Sequence, residues 1–154
     1  YSRPETGNHI LIGSEDPECD ERIFVDPDKW DENFTDQWNT QLYRQAQRYP
    51  DLPLSSQVKG VVSLYDVSDD WIPIYDKSSL PGFYMAIGSS GNQYKNAPIA
   101  GVMMAKLIEE CEQGYDHDKN SIKLHLKYIN REIDIGFYSR NRVINSESSM
   151  SVLG

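Results

Sequence analysis

The sequence predicts a mixed α+β or α/β fragment, in which short strands flank two amphipathic helices. Apolar residues recur at helical spacing in two separate stretches, around Trp38 and around Met103. Short β-branched or aromatic runs, bounded by glycine and proline, precede or follow these stretches and are typical of strands. A chain of 154 residues that is 38% hydrophobic and 25% charged has the composition of a globular protein with a buried core.

The chain begins inside a pattern that is typical of a sheet. Residues 10–12 form an apolar strand end, and Gly7 with Asn8 supplies the turn before it. A natural start rarely has this pattern. We therefore interpret the chain as the C-terminal part of a longer polypeptide, although a processed or trimmed chain would have the same pattern.

The next segment, residues 16–28, is acidic and is predicted to form a loop around a short strand at residues 23–25. Asp26 and Pro27 suit the N-cap and the first position of a helix. Apolar side chains then fall four residues apart and predict one amphipathic helix whose aromatic stripe faces the core. They are Trp30, Phe34, Trp38, Leu42 and Ala46, and the pattern ends at Tyr49 and Pro50.

A strand, a glycine-rich turn and a helix are predicted further along the chain. Residues 58–67 are β-branched and aromatic and predict one strand, and residues 82–87 predict a second, buried strand. The turn at residues 88–91 follows, and apolar residues then recur at helical spacing until Gly114, a plausible end of the helix. A helix N-terminus has unpaired N–H groups, and glycines admit a ligand close to the backbone, so this turn suits an electron-rich group. The alternative is an ordinary turn that packs a helix onto a sheet.

The last part of the chain predicts a hairpin. Residues 121–128 alternate between apolar and polar side chains, as a half-solvated strand does. Ile133 and Ile135 are expected to start its partner, with the turn at Asn130 and Arg131. The serine-rich tail after Arg142 is predicted to be irregular unless it docks on the fold.

Charge and composition argue against several classes of partner. A net charge of −9 is unfavourable for nucleic-acid binding, which needs clustered Lys and Arg. Cys19 and Cys111 are far apart and lack metal-ligand spacing, so neither a disulfide framework nor a zinc site is predicted, and a reducing compartment is expected. Since no apolar run reaches about 18 residues, we expect no membrane span and a cytoplasmic location.

Two acidic clusters contain residue types that are found in metal or acid/base sites, but both are interpreted as structural. Asp66, Asp69 and Asp70 lack the alternating spacing of a calcium loop and predict a solvated turn. Residues 116–118, with the sequence Asp-His-Asp, have no third ligand in view and predict an exposed loop.

Two segments resemble a known family. Residues 63–74, Ser-Leu-Tyr-Asp-Val-Ser-Asp-Asp-Trp-Ile-Pro-Ile, and residues 83–91, Phe-Tyr-Met-Ala-Ile-Gly-Ser-Ser-Gly, resemble the C-terminal segment of the FAD-dependent D-amino-acid-oxidase-like family. That family includes sarcosine oxidase, glycine oxidase and dimethylglycine dehydrogenase. Residues 1–5 and 10–13 resemble its substrate-domain strand pair, so the likeness spans roughly residues 1–112.

The resemblance implies a division of the chain between two domains of a larger flavoprotein. Residues 1–57 would be the C-terminal piece of an antiparallel-sheet substrate-binding domain. Residues 58–115 would be the C-terminal piece of a Rossmann-like FAD domain, and residues 116–154 a hairpin and tail. Because no G-x-G-x-x-G occurs in the chain, the ADP half of FAD is expected to bind an upstream part of the same polypeptide.

The resemblance also implies that the glycine-rich turn faces the flavin ring. Donors fixed near N1 and the C2 carbonyl of a flavin stabilise its reduced form, and the backbone amides of residues 91–94 are the expected donors. The cofactor-binding residues implied in this way are Ser63, Gly88, Ser90, Gly91, Asn92, Gln93, Tyr94 and Lys95.

Two residues are implied to have catalytic roles. Lys95 matches a lysine that points at the flavin and the substrate carboxylate in sarcosine-oxidase-like members, and a solvated helix lysine is the alternative. Tyr65 stands where amino-acid-oxidising relatives often have an arginine that binds the substrate carboxylate, and a phenol cannot make that bidentate pair. Ser63 aligns with the cysteine that tethers flavin in monomeric sarcosine oxidases. Serine cannot form the thioether, so bound FAD is expected to be noncovalent.

The implied activity is oxidation of the C–N bond of an amino acid or N-alkyl amine, by hydride transfer to FAD in the full-length protein. The expected partner is a small-molecule amine or amino-acid substrate, and the chain alone is expected to be inactive. One alternative is a non-catalytic scaffold or binding module derived from a flavoenzyme fold. A second is a related oxidase or dehydrogenase of a different polar substrate.

Overall fold

The computed structural model describes residues 1–14, 21–54 and 58–152. They form a small mixed α/β fold of short antiparallel sheets and two α-helices, in two compact units, Tyr1–Leu64 and Tyr65–Gly154. The strands are β1 Ser2–Glu5, β2 His9–Ile12, β3 Ile74–Lys77, β4 Tyr84–Ile87, β5 Lys123–Leu126 and β6 Arg131–Asp134, and the α-helices are α1 Asp36–Ala46 and α2 Ala97–Glu112. Two 3₁₀ helices span Gln93–Asn96 and Ile135–Tyr138.

The first unit opens with the predicted hairpin. Strands β1 and β2 pair antiparallel, with Ser2 opposite Ile12. The turn between them places Gly7 at φ 71° and Asn8 at φ 60°, both in the left-handed region that these two residue types tolerate best. The prediction of a strand preceded by a Gly-Asn turn is confirmed.

Helix α1 begins ten residues later than the predicted cap at Asp26. Its N-cap is Thr35, whose hydroxyl accepts a hydrogen bond from the amide of Trp38 at 3.2 Å. The carboxylate of Asp26 instead accepts from the amide of Asp28 at 3.0 Å. Because an Asp side chain can close a local turn as readily as a helix, the predicted start was wrong.

The apolar stripe of this helix is only partly buried. Ala46 is buried, while Trp38 and Leu42 are half-buried. Phe34 lies before the helix and stacks on Trp38, with ring centroids 4.0 Å apart. The spacing therefore identified the side chains that pack, although the first two members of the stripe are outside the helix.

Two predicted strands are absent. Residues 23–25 form no strand, and Ile23 is 85% exposed, since a run of three apolar residues without a pairing neighbour cannot build a sheet. Residues 58–67 also form no strand. In the second half of that segment, the carbonyl of Asp66 accepts from Ser90 at 3.0 Å rather than from a neighbouring strand. Residues 16–20 of the predicted acidic loop lie outside the described residues.

The second unit is built on the predicted strand, turn and helix. Strands β3 and β4 pair antiparallel, with Ile74 opposite Ile87, and α2 packs against them. Strand β4 is half exposed rather than buried, since Ile87 is 49% exposed. The core of this unit contains Tyr75, Met103, Leu107, Ile122 and Ile135.

The predicted C-terminal hairpin is confirmed and belongs to the same core. Strands β5 and β6 pair with Leu124 opposite Ile133, and the amide of Ile135 donates to the carbonyl of Ile122 at 2.9 Å. Asn130 at φ 48° lies in the turn between the strands, whereas Arg131 already begins β6 and Ile135 begins the second 3₁₀ helix, so the predicted places of these two residues were wrong. The described sheets are all two-stranded and antiparallel, and the parallel strand order of a Rossmann-like domain is not among them.

The predicted domain boundaries at residues 57 and 115 depend on the resemblance to a longer flavoprotein, and they stay predictions.

No helix among the described residues is both long and apolar enough to cross a membrane.

Candidate functional site

The glycine-rich turn has an unusual backbone. Three of its four residues lie in the left-handed region, with φ of 67° at Gly88, 49° at Ser90 and 75° at Gly91. Glycine adopts this region without a steric penalty, but serine does not, so Ser90 must be held there by its surroundings. The turn carries the chain from β4 into the 3₁₀ helix that precedes α2.

Asp66 holds the turn in place. Its carboxylate accepts two hydrogen bonds from Ser89, one from the amide at 3.0 Å and a short one from the hydroxyl. Its carbonyl accepts from the amide of Ser90. Burial raises the pKa of the Asp66 carboxyl, but the hydrogen bonds from the hydroxyl and amide of Ser89 outweigh that effect and lower it. Asp66 is thus ionised and fixed at neutral pH.

Sequence analysis did not single out Asp66 for this role. It lies 23 residues from Ser89, so no local spacing indicates the contact. The Asp-rich segment was interpreted as a solvated turn, which is wrong for Asp70, because that side chain is fully buried, whereas Asp66 is exposed.

Two of the predicted site residues, Tyr65 and Gly91, lie in contact. A Cβ placed on Gly91 would lie 2.5 Å from Cε1 of Tyr65 and 2.8 Å from Cγ1 of Val152, closer than such atoms approach. Only glycine therefore fits between these side chains. Tyr65 is otherwise 63% exposed, so its ring lies against the turn from the solvent side.

The backbone amides of the turn differ in whether they donate a hydrogen bond within the described residues. Those of Ser89 and Ser90 donate to Asp66, and that of Asn92 donates to the carbonyl of Ser89 at 3.2 Å. Within residues 1–14, 21–54 and 58–152, no acceptor pairs with the amide of Gly91. This N–H is therefore a donor in the turn that a ligand could use.

The side chains of the 3₁₀ helix divide into an inner and an outer set. Gln93 points inward, where its Oε1 accepts from the hydroxyl of Tyr75 at 3.0 Å and from Nδ2 of Asn96 at 3.1 Å. Burial raises the pKa of Tyr75, which keeps this hydroxyl a donor. Tyr94 is 98% exposed and Lys95 is also exposed.

An open groove of about 300 Å³ adjoins the turn. Ser89 and Gln93 form its polar edge, and Ile87 belongs to its apolar wall. The rest of the groove is lined by Pro73, Tyr75, Ala86, Ala97, Ala100, Gly101 and Met104. A volume of this size is at the lower end of the range for small-molecule sites, and small residues of α2 leave it open.

The remaining predicted site residues have different surroundings. Ser90 is fully buried and its hydroxyl donates to the carbonyl of Gly88 at 3.2 Å, so its side chain shapes the turn and does not face a ligand. Asn92 precedes the 3₁₀ helix, and its Oδ1 accepts from Nε2 of Gln93. Ser63 is exposed and belongs to the first unit, whereas the turn belongs to the second.

His117 is buried, which contradicts the expectation of an exposed loop at residues 116–118. Its side chain is 1% exposed, and its Nδ1 accepts from the amide of Ile122 at 3.1 Å. The neutral ring therefore carries its proton on Nε2, which lies 3.9 Å from Oδ1 of Asp76. Burial lowers the pKa of His117, although Asp76 and Asp118 act in the opposite direction.

The described residues contain no group of three or more His, Cys, Asp or Glu side chains that could hold a metal ion. Cys19 lies outside the described residues. Cys111 is half-buried in the second unit, and burial raises the pKa of its thiol.

The chain matches no protein-family model, no curated protein and no solved structure. Its function is therefore inferred from the residues and from the geometry of the turn and groove.

Proposed function

We propose that this chain is the C-terminal segment of an FAD-dependent oxidoreductase that oxidises the C–N bond of an amino acid or N-alkyl amine. The observation that carries the proposal is the strand-to-helix turn whose left-handed backbone Asp66 fixes, and in which no acceptor among the described residues pairs with the Gly91 amide. Fixed backbone donors stabilise developing negative charge without reorganisation. The resemblance of residues 63–74 and 83–91 to the D-amino-acid-oxidase-like family supports the same function.

The turn and groove fit the ring end of the cofactor. The apolar groove beside Ser89 can accept an aromatic ring, whose electron-rich edge would approach the Gly91 N–H, since Tyr65 and Val152 fill the place of a Gly91 side chain. The ADP end has no corresponding place, because the chain lacks a G-x-G-x-x-G fingerprint. In this proposal that end binds an upstream part of a Rossmann-like domain, to which the second unit contributes its C-terminal elements.

The residues near the turn would have distinct roles. The amide of Gly91 would donate to the electron-rich edge of the ring, and Gly88 and Ser90 would shape the turn. Tyr65 and Lys95 would face the substrate, since both are exposed, and the cation would attract a substrate carboxylate. Bound FAD would supply the hydride acceptor, and it would be noncovalent because Ser63 replaces the tethering cysteine.

Visible absorption of the protein expressed from its full-length gene tests this function. We expect a flavin spectrum whose pigment stays in the supernatant after acid precipitation. If the pigment pellets with the protein, the protein is still a flavoprotein, but its flavin is bound covalently. A colourless protein that also fails to bind added FAD would refute the proposal.

Two glycine substitutions test the role of the turn. Gly91→Ala introduces both a strained backbone at φ 75° and a clash with Tyr65. Gly82→Ala introduces the same strain at φ 76°, with nothing within 4 Å of the new Cβ. We expect Gly91→Ala to lower flavin occupancy and Gly82→Ala to leave it unchanged, with circular dichroism used to show that both variants are folded. Equal flavin occupancy in the two variants would show that the turn is not part of the cofactor site.

The second candidate is a non-catalytic scaffold or binding module. It is favoured by the carboxylates of Asp66, Asp70 and Asp76, because each accepts hydrogen bonds from another segment of the same chain. Failure of the full-length protein to bind FAD, together with an intact fold, would favour this function.

A further inference from the structure

A polar pocket of about 300 Å³ lies in the first unit, between helix α1 and the open end of the hairpin β1–β2. Among the described residues, no carboxylate lines it. Its polar side chains belong mainly to the last turns of α1 and the residues just after that helix. The pocket is lined by Tyr1, Gly13, Gln41, Arg44, Gln45 and Arg48.

The two arginines of this pocket lie on the same side of α1. Arg44 and Arg48 are four residues apart, and the backbone between them stays helical, since the C-cap Gln47 has φ −59° and ψ −17°. Side chains at this spacing are neighbours on a helix surface, and two like charges there repel one another. An anion bound between the guanidinium groups would therefore interact favourably with both of them and offset their repulsion.

Both guanidinium groups keep their N–H donors. Within residues 1–14, 21–54 and 58–152, the side chains of Arg44 and Arg48 form neither an ion pair nor a hydrogen bond. Arg3, Arg140 and Arg142, in contrast, each form an ion pair with an aspartate or a glutamate. An arginine carries five N–H donors in a rigid fork, so the pocket offers many donors to an anion.

The end of α1 does not need these side chains as caps. Basic residues at a helix C-terminus can donate to its last carbonyls. Here backbone amides already donate to the carbonyls of Tyr43, Gln45 and Ala46, at 2.9 to 3.1 Å. The helix dipole favours a cation at this end, but that interaction uses no N–H donor. Helix capping therefore does not explain two arginines that line one pocket.

The hairpin and the helix are joined beside the pocket. Nε2 of Gln45 donates to Oγ of Ser2 at 3.2 Å, and a short hydrogen bond links the same hydroxyl to that of Tyr49. The ring of Tyr1 lies on Gly13, where an added Cβ would be 2.3 Å from Cζ of the tyrosine. These contacts fix the walls of the pocket, so a ligand would not have to assemble it.

We propose that this pocket is a binding site for a small dianion, of the kind that a phosphate group or a short dicarboxylate provides. The guanidinium forks of Arg44 and Arg48 match the oxygen atoms of such an anion, and the half-buried amide of Gln41 adds a further donor. The site uses no residue of the glycine-rich turn or its groove. It therefore goes beyond the proposed flavin function and does not depend on it.

NMR titration of the full chain tests the site, with the side-chain N–H signals of Arg44, Arg48 and Gln41 as the readout. Phosphate and succinate are the probe dianions and acetate is the monoanion, while sodium chloride holds the ionic strength constant. We expect saturable shifts with at least one dianion and a weaker response to acetate, which has less charge to share between two guanidinium groups. The dianion that binds more tightly identifies the ligand as a phosphate or a dicarboxylate.

Glutamine variants test the role of the arginines. Arg44→Gln and Arg48→Gln each replace a guanidinium with a neutral amide. We expect each variant to bind the better dianion about threefold more weakly, as is typical of the loss of one exposed ion pair. Arg131→Gln, at an exposed position of β6, is the matched control and should bind it as the original chain does. Circular dichroism shows whether the variants are folded.

Three results would overturn the proposal. Shifts of equal size when chloride replaces the dianion at the same ionic strength would show only screening of exposed charges. Equal affinities in the three folded glutamine variants would show that the anion binds elsewhere. Absence of any shift with both dianions would show that the arginines bind no small anion, even if carboxylates of the same chain occupy them. The flavin function is tested separately, because its absorption measurement reports the flavin ring and this titration contains none.

Discussion

Arg142 and Asp70 form a two-point ion pair between segments 72 residues apart in the sequence. Nε of Arg142 donates to Oδ2 of Asp70 at 3.0 Å, and Nη2 donates to Oδ1 at 2.5 Å. The arginine side chain is 9% exposed and the aspartate is fully buried. A buried pair of this geometry is costly to break, because the remaining charge has no partner.

Arg142→Leu is therefore expected to destabilise the protein by about 3 kcal/mol, the cost typical of breaking a buried ion pair. Urea unfolding measures the change as a lower midpoint with an unchanged slope. Arg131→Leu, at an exposed position of β6, is the matched control and is expected to change stability by less than about 0.5 kcal/mol. Equal midpoints for the two variants would show that the ion pair does not fix the tail.

The same pair predicts a pH dependence. Hydrogen bonds from Arg142 hold the pKa of Asp70 far below its ordinary value. Because the folded pKa is lowered, the stabilisation is complete above the unfolded pKa of about 3.9 and is lost as pH falls through the folded pKa. Asp70→Asn lacks this carboxylate. The difference in unfolding free energy between the original chain and Asp70→Asn should be constant above about pH 5 and shrink below about pH 4. A difference that does not change over that range would contradict the assignment.

The sequence predicted those helices and hairpins that are determined by residues close together in the chain. Helix α2 and the hairpins β1–β2 and β5–β6 follow from helical spacing, strict alternation and turn residues, all of which act over a few neighbours. Residues 23–25 and 58–67 have strand-like composition but find no partner strand, and composition does not specify pairing. Asp26 has the side chain of a helix cap, yet it closes a turn because both uses satisfy the same oxygen.

The candidate site was predicted only where it is continuous in sequence. The glycine-rich turn is local, and its backbone conformation agrees with the positions of its glycines. The contact of Tyr65 with Gly91 joins residues that are far apart in the sequence, and so do the hydrogen bonds that Ser89 donates to Asp66. Val152 lies in a serine-rich tail with no pattern, so nothing in the sequence indicates that it reaches the turn.

His117 provides a second pH test, in a higher range. Burial lowers its pKa, so the folded protein holds it neutral while the unfolded chain takes up a proton below about pH 6.5. Stability should therefore fall as pH decreases below about 6.5, by up to about 1.4 kcal/mol per pH unit, until the folded form is also protonated.

His117→Asn separates this titration from the carboxylates. The amide oxygen of asparagine can still accept from the amide of Ile122, but the side chain does not titrate. Urea unfolding at about pH 7.5, 6.5 and 5.5 should show a weaker pH dependence in this variant. His125→Asn, at an exposed position of β5, should keep the dependence of the original chain. The prediction is wrong if His125→Asn and His117→Asn respond to pH alike.

Asp66→Asn tests whether the glycine-rich turn is held from outside. Ser89 donates to both carboxylate oxygens of Asp66, and in asparagine one of these oxygens is replaced by an NH2 donor, so one hydrogen bond is lost and the other loses its charge assistance. Without them, the left-handed conformation of Ser90 should become less populated, because it is unfavourable on its own.

Amide chemical shifts measure this change. We expect shifts confined to residues 88–91 in Asp66→Asn, with broadening that indicates exchange between turn conformations, and a loss of about 1 kcal/mol in stability. Asp69→Asn removes the same charge at an exposed neighbouring position and should leave these shifts in place. If both variants leave residues 88–91 unchanged, the turn is determined by its own glycines, and Asp66 is not needed to present the Gly91 amide. If only Asp66→Asn alters them, the donor geometry depends on a carboxylate 23 residues earlier in the chain.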